Sequence, residues 1–288
     1  MQPQRAALVG LGRWGQVILR ELLEIGVPVT AVLRSRDPER EARLQSAHPE
    51  VAFSYGTRSV SEDPSITHVV IATPISTHVA VAEEFFGRDK SVFLEKPISA
   101  DAVQAEGLLA RAEETRTPLF VGQIFLYHEC LQVLARELAG KHLRRAAVEK
   151  SVRQQGPESK EFFIDRFIHE TSVLLKLLGL PSSALNTESG GLAMRFPRAD
   201  ASIDILPHSA HKVRRFSFET DDGTYRWEND ELFLECAGKI ARIASPSVPP
   251  LRAELQRFFA GADTPEVKEN NHIALESVRV LEKAYESR

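Results

Sequence analysis

The chain has 288 residues, 43% hydrophobic and 26% charged, with a formal net charge of −4. That length exceeds one ordinary core and predicts two domains. The charge balance gives no electrostatic reason to expect nucleic acid or an anionic membrane as a partner, and no apolar run approaches the ~20 residues of a membrane-spanning helix. The first strand begins close to the N-terminus, so no signal peptide is expected. Cys130 and Cys236 lie far apart in no metal-like spacing, as expected of a cytoplasmic chain with reduced thiols.

Ala6 to Val9 form a short apolar strand, and Gly10, Gly12 and Gly15 then give G-x-G-x-x-G around Leu11, Arg13 and Trp14. A helix from Arg13 to Ile25 follows, with Trp14, Val17, Ile18, Leu22 and Ile25 on one face. Strand, glycine turn and helix are what a dinucleotide pyrophosphate needs: Gly10 for the tight turn, Gly12 for close approach of the phosphates, Gly15 for helix-on-strand packing. The helix N-terminus presents N–H groups and partial positive charge to the anion. Further strands are predicted at Val27–Leu33, Val51–Tyr55, His68–Ala72, Ser91–Leu94 and Leu119–Gly122. Helices are predicted from Asp37-Pro38 to Ala47, over Thr77–Phe86, and over Ala100–Glu114 capped by Ser99, with a helical turn over Ser59–Asp63. This alternation predicts a doubly wound parallel sheet, a Rossmann α/β domain over residues 1–123.

Residues 124–288 have another rhythm. Helices are expected at Glu129–Leu138, Phe162–Leu178, Pro249–Phe259 and Asn271–Tyr285. Strands are expected at Leu143–Arg153, Leu185–Thr187, Leu192–Phe196, Ala201–Leu206, Val213–Thr220 and Thr224–Glu228, the last two joined by Asp221-Asp222-Gly223 as a hairpin turn. Gln154–Ser159, with Gly156-Pro157, reads as a loop. The expectation is an α+β domain with a mainly antiparallel open sheet, whose closing helices can pack back on the first domain.

The order of motifs resembles the glucose–fructose oxidoreductase/inositol dehydrogenase family, Gfo/Idh/MocA. Four matches carry the resemblance: Gly10–Gly15, Ala72-Thr73-Pro74 with His78, Glu95-Lys96-Pro97, and Asp165-x-x-x-His169 on an apolar helix ending in Leu178-Gly179. The resemblance implies a nicotinamide-dependent dehydrogenase acting on a sugar, polyol or nucleotide-linked sugar. It also implies a cis Lys96–Pro97 bond, and a C-terminal sheet that joins subunits into a homodimer or homotetramer. The run Gln123 to His128 resembles the branch acting on nucleotide-linked amino sugars.

Hydride transfer from an alcohol carbon needs a base for the hydroxyl proton. The resemblance assigns His169 as acid/base, Lys96 as donor to the substrate oxygen and Asp165 as the group tuning the imidazole. Asp165 and His169, four apart, share a helix face. The bland alternatives are a surface lysine, a capping aspartate and a core histidine. His78 is expected to shape the loop over the nicotinamide, with Thr73, Pro74, Glu95, Lys96 and Pro97 completing the cofactor contacts. Gln123, Tyr127 and His128 are candidate substrate contacts beside Lys96, Asp165 and His169; Tyr127 and His128 can equally open a helix. Where the family often reads D-x-G-x-H-x-x-D, Phe167 replaces the glycine and Ser172 the last aspartate, a departure that bears on the substrate. At the end of the second strand, Arg34-Ser35-Arg36 suits a 2′-phosphate, since guanidinium pairs with phosphate in bidentate fashion. NADP(H) is therefore favoured over NAD(H), which Asp37 would otherwise serve. His208 and His211 have no metal-ligand companions, and no metal site is expected. The rival readings are an NADPH-dependent reductase of an imine or other non-sugar substrate, and a catalytically silent dinucleotide-binding regulator.

Overall fold

A computed structural model describes residues 4–33, 37–151, 159–206 and 213–287. The chain divides into one unit that ends at Gly122 and regains Leu251–Leu275, and a second formed by Gln123–Pro250 and the residues from Glu276 onward. The first contains β1 (Ala6–Val9), α1 (Arg13–Glu24), β2 (Val29–Leu33), α2 (Pro38–Ala47), β3 (Ala52–Tyr55), α3 (Arg58–Ser61), β4 (His68–Ile71), α4 (His78–Glu83), β5 (Ser91–Glu95), α5 (Ala102–Glu114) and β6 (Leu119–Gly122). Its sheet has the order β3-β2-β1-β4-β5-β6. Ala6 pairs in parallel with both Val29 and His68, so the order reverses at β1. Every residue of β1 and β2 is buried; strands covered on both faces show continuous apolar runs rather than alternation. This is the Rossmann order, in which ligands bind outside the carboxyl ends of the strands at the reversal. One predicted cap is corrected. Asp101, not Ser99, caps α5 by accepting from Gln104 N at 2.9 Å, while Ser99 Oγ accepts from Asp101 N one turn earlier.

The second unit contains α6 (Glu129–Leu138), β7 (Leu143–Ser151), α7 (Lys160–Leu178), β8 (Ser183–Asn186), β9 (Leu192–Arg195), β10 (Asp200–Leu206), β11 (Arg214–Thr220), β12 (Gly223–Glu228), β13 (Glu231–Cys236) and β14 (Lys239–Ala244). Among the described residues these strands form one sheet, β14-β13-β12-β11-β7-β10-β9-β8, antiparallel except for the β7–β10 pair. Gly223 pairs with Thr220, so the expected three-residue turn is only Asp221-Asp222. β13 and β14 are additions to the expected set. Asn229 and Asp230 join β12 to β13 with φ of 49° and 64°, and Ala237 and Gly238 join β13 to β14 with φ of 49° and 74°. Two successive positive φ values give the turn whose twist matches paired strands. α7 starts two residues earlier than predicted, because Ser159 accepts from Phe162 N and caps it.

α8 (Pro250–Ala260) and α9 (Pro265–Glu286) close the chain. Residues 251–275 pack with the first unit rather than with the second half of the chain. Phe258 lies within ring contact of His68, Phe93 and Phe120. Asn271 treats the open edge of β6 as a neighbouring strand would: its Oδ1 accepts from Val121 N at 2.9 Å, and its Nδ2 donates to Leu119 O at 2.7 Å.

Asn271→Ala leaves a buried N–H and a buried carbonyl unsatisfied, and urea unfolding is expected to show a loss of about 2–4 kcal/mol. Burial pushes the His68 imidazole down to about 4. The unfolded chain therefore takes up a proton at this position near the ordinary pKa of 6.5, and the native state only near 4. Stability is expected to fall as pH drops through that window. His68→Phe should flatten this part of the profile in unfolding measured from pH 7 to pH 4.

Candidate active site

The glycine turn between β1 and α1 is fixed by close approach. Gly10 has φ +99°, and a Cβ there would lie 2.5 Å from Ala72 O. A Cβ on Gly15 would run into the Gly10 carbonyl. Gly12 differs: nothing lies within 4 Å of its would-be Cβ. Gly12 is also the N-cap of α1, with no side chain capping the helix and no acid in its first turn. The uncapped positive end of the helix thus faces a space that a side chain would fill. The space belongs to a cavity of about 780 Å³ lined by Gly10, Gly12, Leu33, Thr57, Thr73 and Pro74 among others, within the ~300–1,000 Å³ usual for small-molecule sites. The donor set and the open glycine fit a dinucleotide pyrophosphate.

Two buried groups hold the neighbouring loops. Glu95, at the end of β5, accepts from Trp14 Nε1 at 2.6 Å and from Lys96 N at 3.2 Å. The carboxylate therefore joins the glycine-motif helix to the Glu95-Lys96-Pro97 loop, while the Trp14 ring lines the cavity. The Lys96–Pro97 bond is cis. Buried His78 places Nδ1 2.8 Å from Pro97 O and Nε2 2.9 Å from Thr73 O. Both partners are acceptors, so both bonds form only when each ring nitrogen carries hydrogen. His78 thereby connects the loops after β4 and β5. Arg13 is exposed beside the cavity. Arg34, Ser35 and Arg36 lie outside the described residues, as do Gly156-Pro157, His208 and His211.

In the second unit, Asp165 and His169 lie within α7, and both are half-buried. The His169 ring meets Phe125 edge-on at 5.2 Å. Ser172 is wholly buried. Its Oγ lies 2.8 Å from His169 O and 3.3 Å from the Oε1 of buried Gln123. Tyr127 is buried. Of the two readings of His128, the structure shows the helix opening: its Nδ1 accepts from Cys130 N at 3.1 Å, and its Nε2 lies 3.2 Å from Asp230. Burial keeps the His128 ring below its ordinary pKa, against the pull of Asp230.

Sequence reasoning missed the charges around His169. Glu170, the next residue, is fully buried between Lys150 Nζ and Arg214 Nε, each at 2.8 Å. Burial alone would raise its pKa; Lys150 and Arg214 outweigh that and hold it below the ordinary value. The available signal was a glutamate inside an apolar helix, which demands cationic partners from elsewhere in the fold. Among the described residues, no three His, Cys, Asp or Glu side chains group as metal ligands.

The parallel sheet, its order and the glycine cradle define a dinucleotide-binding Rossmann domain of the dehydrogenase type. Residues 4–123 match the GFO_IDH_MocA model, described as an oxidoreductase family with an NAD-binding Rossmann fold. The chain is 27% identical over 186 residues to scyllo-inositol 2-dehydrogenase (NAD(+)) of Bacillus subtilis, covering 61% of this chain and 54% of that protein. It is 26% identical over 198 residues to UDP-N-acetylglucosamine 3-dehydrogenase of Acidithiobacillus ferrooxidans, covering 68% of this chain and 60% of that protein. The chain thus spans little more than half the length of these curated relatives. The solved structure of UDP-N-acetylglucosamine 3-dehydrogenase GnnA from A. ferrooxidans superposes with a TM-score of 0.79 at 20% identity, covering 100% of this chain and 99% of that one; at that identity the likeness is one of fold. Residues 4–123 thus carry the NAD-binding Rossmann domain described for the Gfo/Idh/MocA oxidoreductases, and the rest of the chain is similar to them in fold.

The glycines separate binding from folding. Gly12→Ala meets no atom and is expected to change unfolding free energy by less than about 0.5 kcal/mol, while nucleotide affinity by fluorescence titration falls about tenfold or more as the methyl blocks the phosphates. Gly15→Ala is expected to destabilise the fold itself in the same unfolding assay.

Proposed function

We propose that this chain is an NAD(P)-dependent dehydrogenase that interconverts a secondary alcohol and a ketone on a sugar, polyol or nucleotide-sugar substrate. The reading rests above all on the Glu95 carboxylate, which ties Trp14 beside the glycine turn to the backbone of Lys96. The backbone that carries the Lys96 cation is thereby held to a ring that lines the cavity. The dinucleotide supplies the hydride acceptor or donor. Lys96 donates a hydrogen bond to the substrate oxygen and stabilises negative charge developing there. His169 removes or returns the hydroxyl proton, and Asp165, one helical turn earlier, sets the charge and orientation of the imidazole. Gln123 lies beside this face of α7. Arg34, Ser35 and Arg36 favour NADP(H) over NAD(H), because two guanidiniums and a hydroxyl match a 2′-phosphate. The chain works in the cytoplasm on a small molecule, as a dimer or tetramer built on its eight-stranded sheet.

One observation favours the rival reductase of an imine or other non-sugar substrate: Ser172 is wholly buried and occupied with Gln123 and the His169 carbonyl, so it does not replace an aspartate reaching for a substrate hydroxyl. A substrate panel of ketones, polyols and cyclic imines, followed by nicotinamide absorbance, decides between them. With the active substrate, Lys96→Ala and His169→Ala are each expected to lower kcat by a factor of about 10² or more, with nucleotide affinity retained in His169→Ala. Unchanged turnover in both variants would remove the assigned roles.

A further inference from the structure

A small pocket of about 180 Å³ opens in the second unit, lined by Phe125, Arg214, Phe216, Trp227, Asn229 and Asp230. Its floor is apolar: Phe216 and Trp227 are buried and stack at 5.0 Å. Among the described residues its one cation is Arg214, held from two directions. The guanidinium lies over the Phe125 ring at 4.8 Å, and its Nε pairs with buried Glu170 at 2.8 Å. Among the described residues no group accepts from the two terminal nitrogens of Arg214. Glu170 is shared with Lys150, itself nearly buried, so two cations divide one carboxylate. Lys150, Glu170 and Arg214 together carry +1, beside low-dielectric aromatic walls where charge acts strongly, with the Asp230 carboxylate on the same pocket against it. Phe125 is also the ring that His169 meets edge-on, so a single side chain separates Arg214 from the imidazole.

We infer that this pocket takes a carboxylate of the substrate, and that Arg214 selects acidic sugars over neutral ones. The inference rests on the reading of the His169 face as the substrate site. The terminal nitrogens of Arg214 form a planar fork that matches both oxygens of a carboxylate. Its plane is fixed in advance by Phe125 and Glu170, so little freedom is lost on binding. The volume suits one substituent of a ring rather than a nucleotide. Asp230, its side chain 62% exposed and partnered with His128, stands on the same pocket. It disfavours a phosphate dianion more than a carboxylate monoanion, and accepts from a hydroxyl beside the carboxylate. A hexuronate presents that pair of groups.

The test is direct binding to the full chain by isothermal titration, with glucuronate, glucose and inorganic phosphate as probes. Wild-type protein is expected to bind glucuronate about tenfold or more tighter than either other probe, a difference of about 1.4 kcal/mol. Arg214→Gln leaves Glu170 and Lys150 as a matched pair and should erase the preference. Arg214→Lys, with a point charge but no fork, should keep part of it. Nucleotide affinity should be unchanged in both variants. Equal affinity for glucuronate and glucose, tighter binding of phosphate, no binding of any probe, or a preference that survives Arg214→Gln would each overturn the inference. Wild-type binding alone suffices to refute it should a variant fail to fold. The readout needs no turnover: if the Lys96 and His169 variants contradict the hydride-transfer reading while the acid preference holds, only the reaction assignment falls.

Discussion

The constraint on which the first unit depends is the contact between the Gly15 Cα and the Gly10 carbonyl, too close for any side chain. That contact lays α1 against β1 and brings the start of the helix over the carboxyl end of the sheet. The adjacent fit of Gly10 against Ala72 ties the same turn to β4, across the point where strand order reverses. A helix end pressed there has its N–H groups aimed at the crevice, and Gly12 leaves the approach clear. Affinity for an anion is thus a by-product of packing, because the field of the helix end comes from the backbone.

From that turn, order passes outward through buried polar groups. Glu95 carries it to Lys96, and His78 carries it between the loops after β4 and β5. Each group is buried and has its hydrogen-bonding demand met locally. In the second unit Glu170 has the corresponding place, with Lys150 from β7 and Arg214 from β11 clamping α7 to the sheet. Removing Glu170 from such a cluster costs far more than the pairs contribute, because buried cations are then left uncompensated. The helix that carries His169 is therefore held in register by charge as well as by its apolar face.

Much of this was legible in the residues. The Rossmann strands are continuous apolar runs because both faces are covered, and the glycine pattern locates the turn between the first of them and its helix. β13 and β14 were not legible for the converse reason. β14 is an edge strand whose Ile240 is 63% exposed, so it has no buried face to write an alternating pattern. The first turns of α9 were missed because Asn270 and Asn271, buried but polar, interrupt the apolar period. Asn271 is there to satisfy the edge of β6, a partner about 150 residues away in the chain.

The sequence by itself determined the class of fold, the nucleotide turn and the resemblance to a family, because each rests on local patterns: periodicity, glycine spacing and short motifs. Tertiary structure alone decided which charges surround His169 and that Asn271 satisfies the edge of β6, and it chose among the readings left open for His128 and for residues 251–275. Those facts depend on burial and on pairings between distant strands and helices. Burial belongs to the assembled chain, and a lone Glu, Arg or Asn carries no mark of the partner that folding will bring to it.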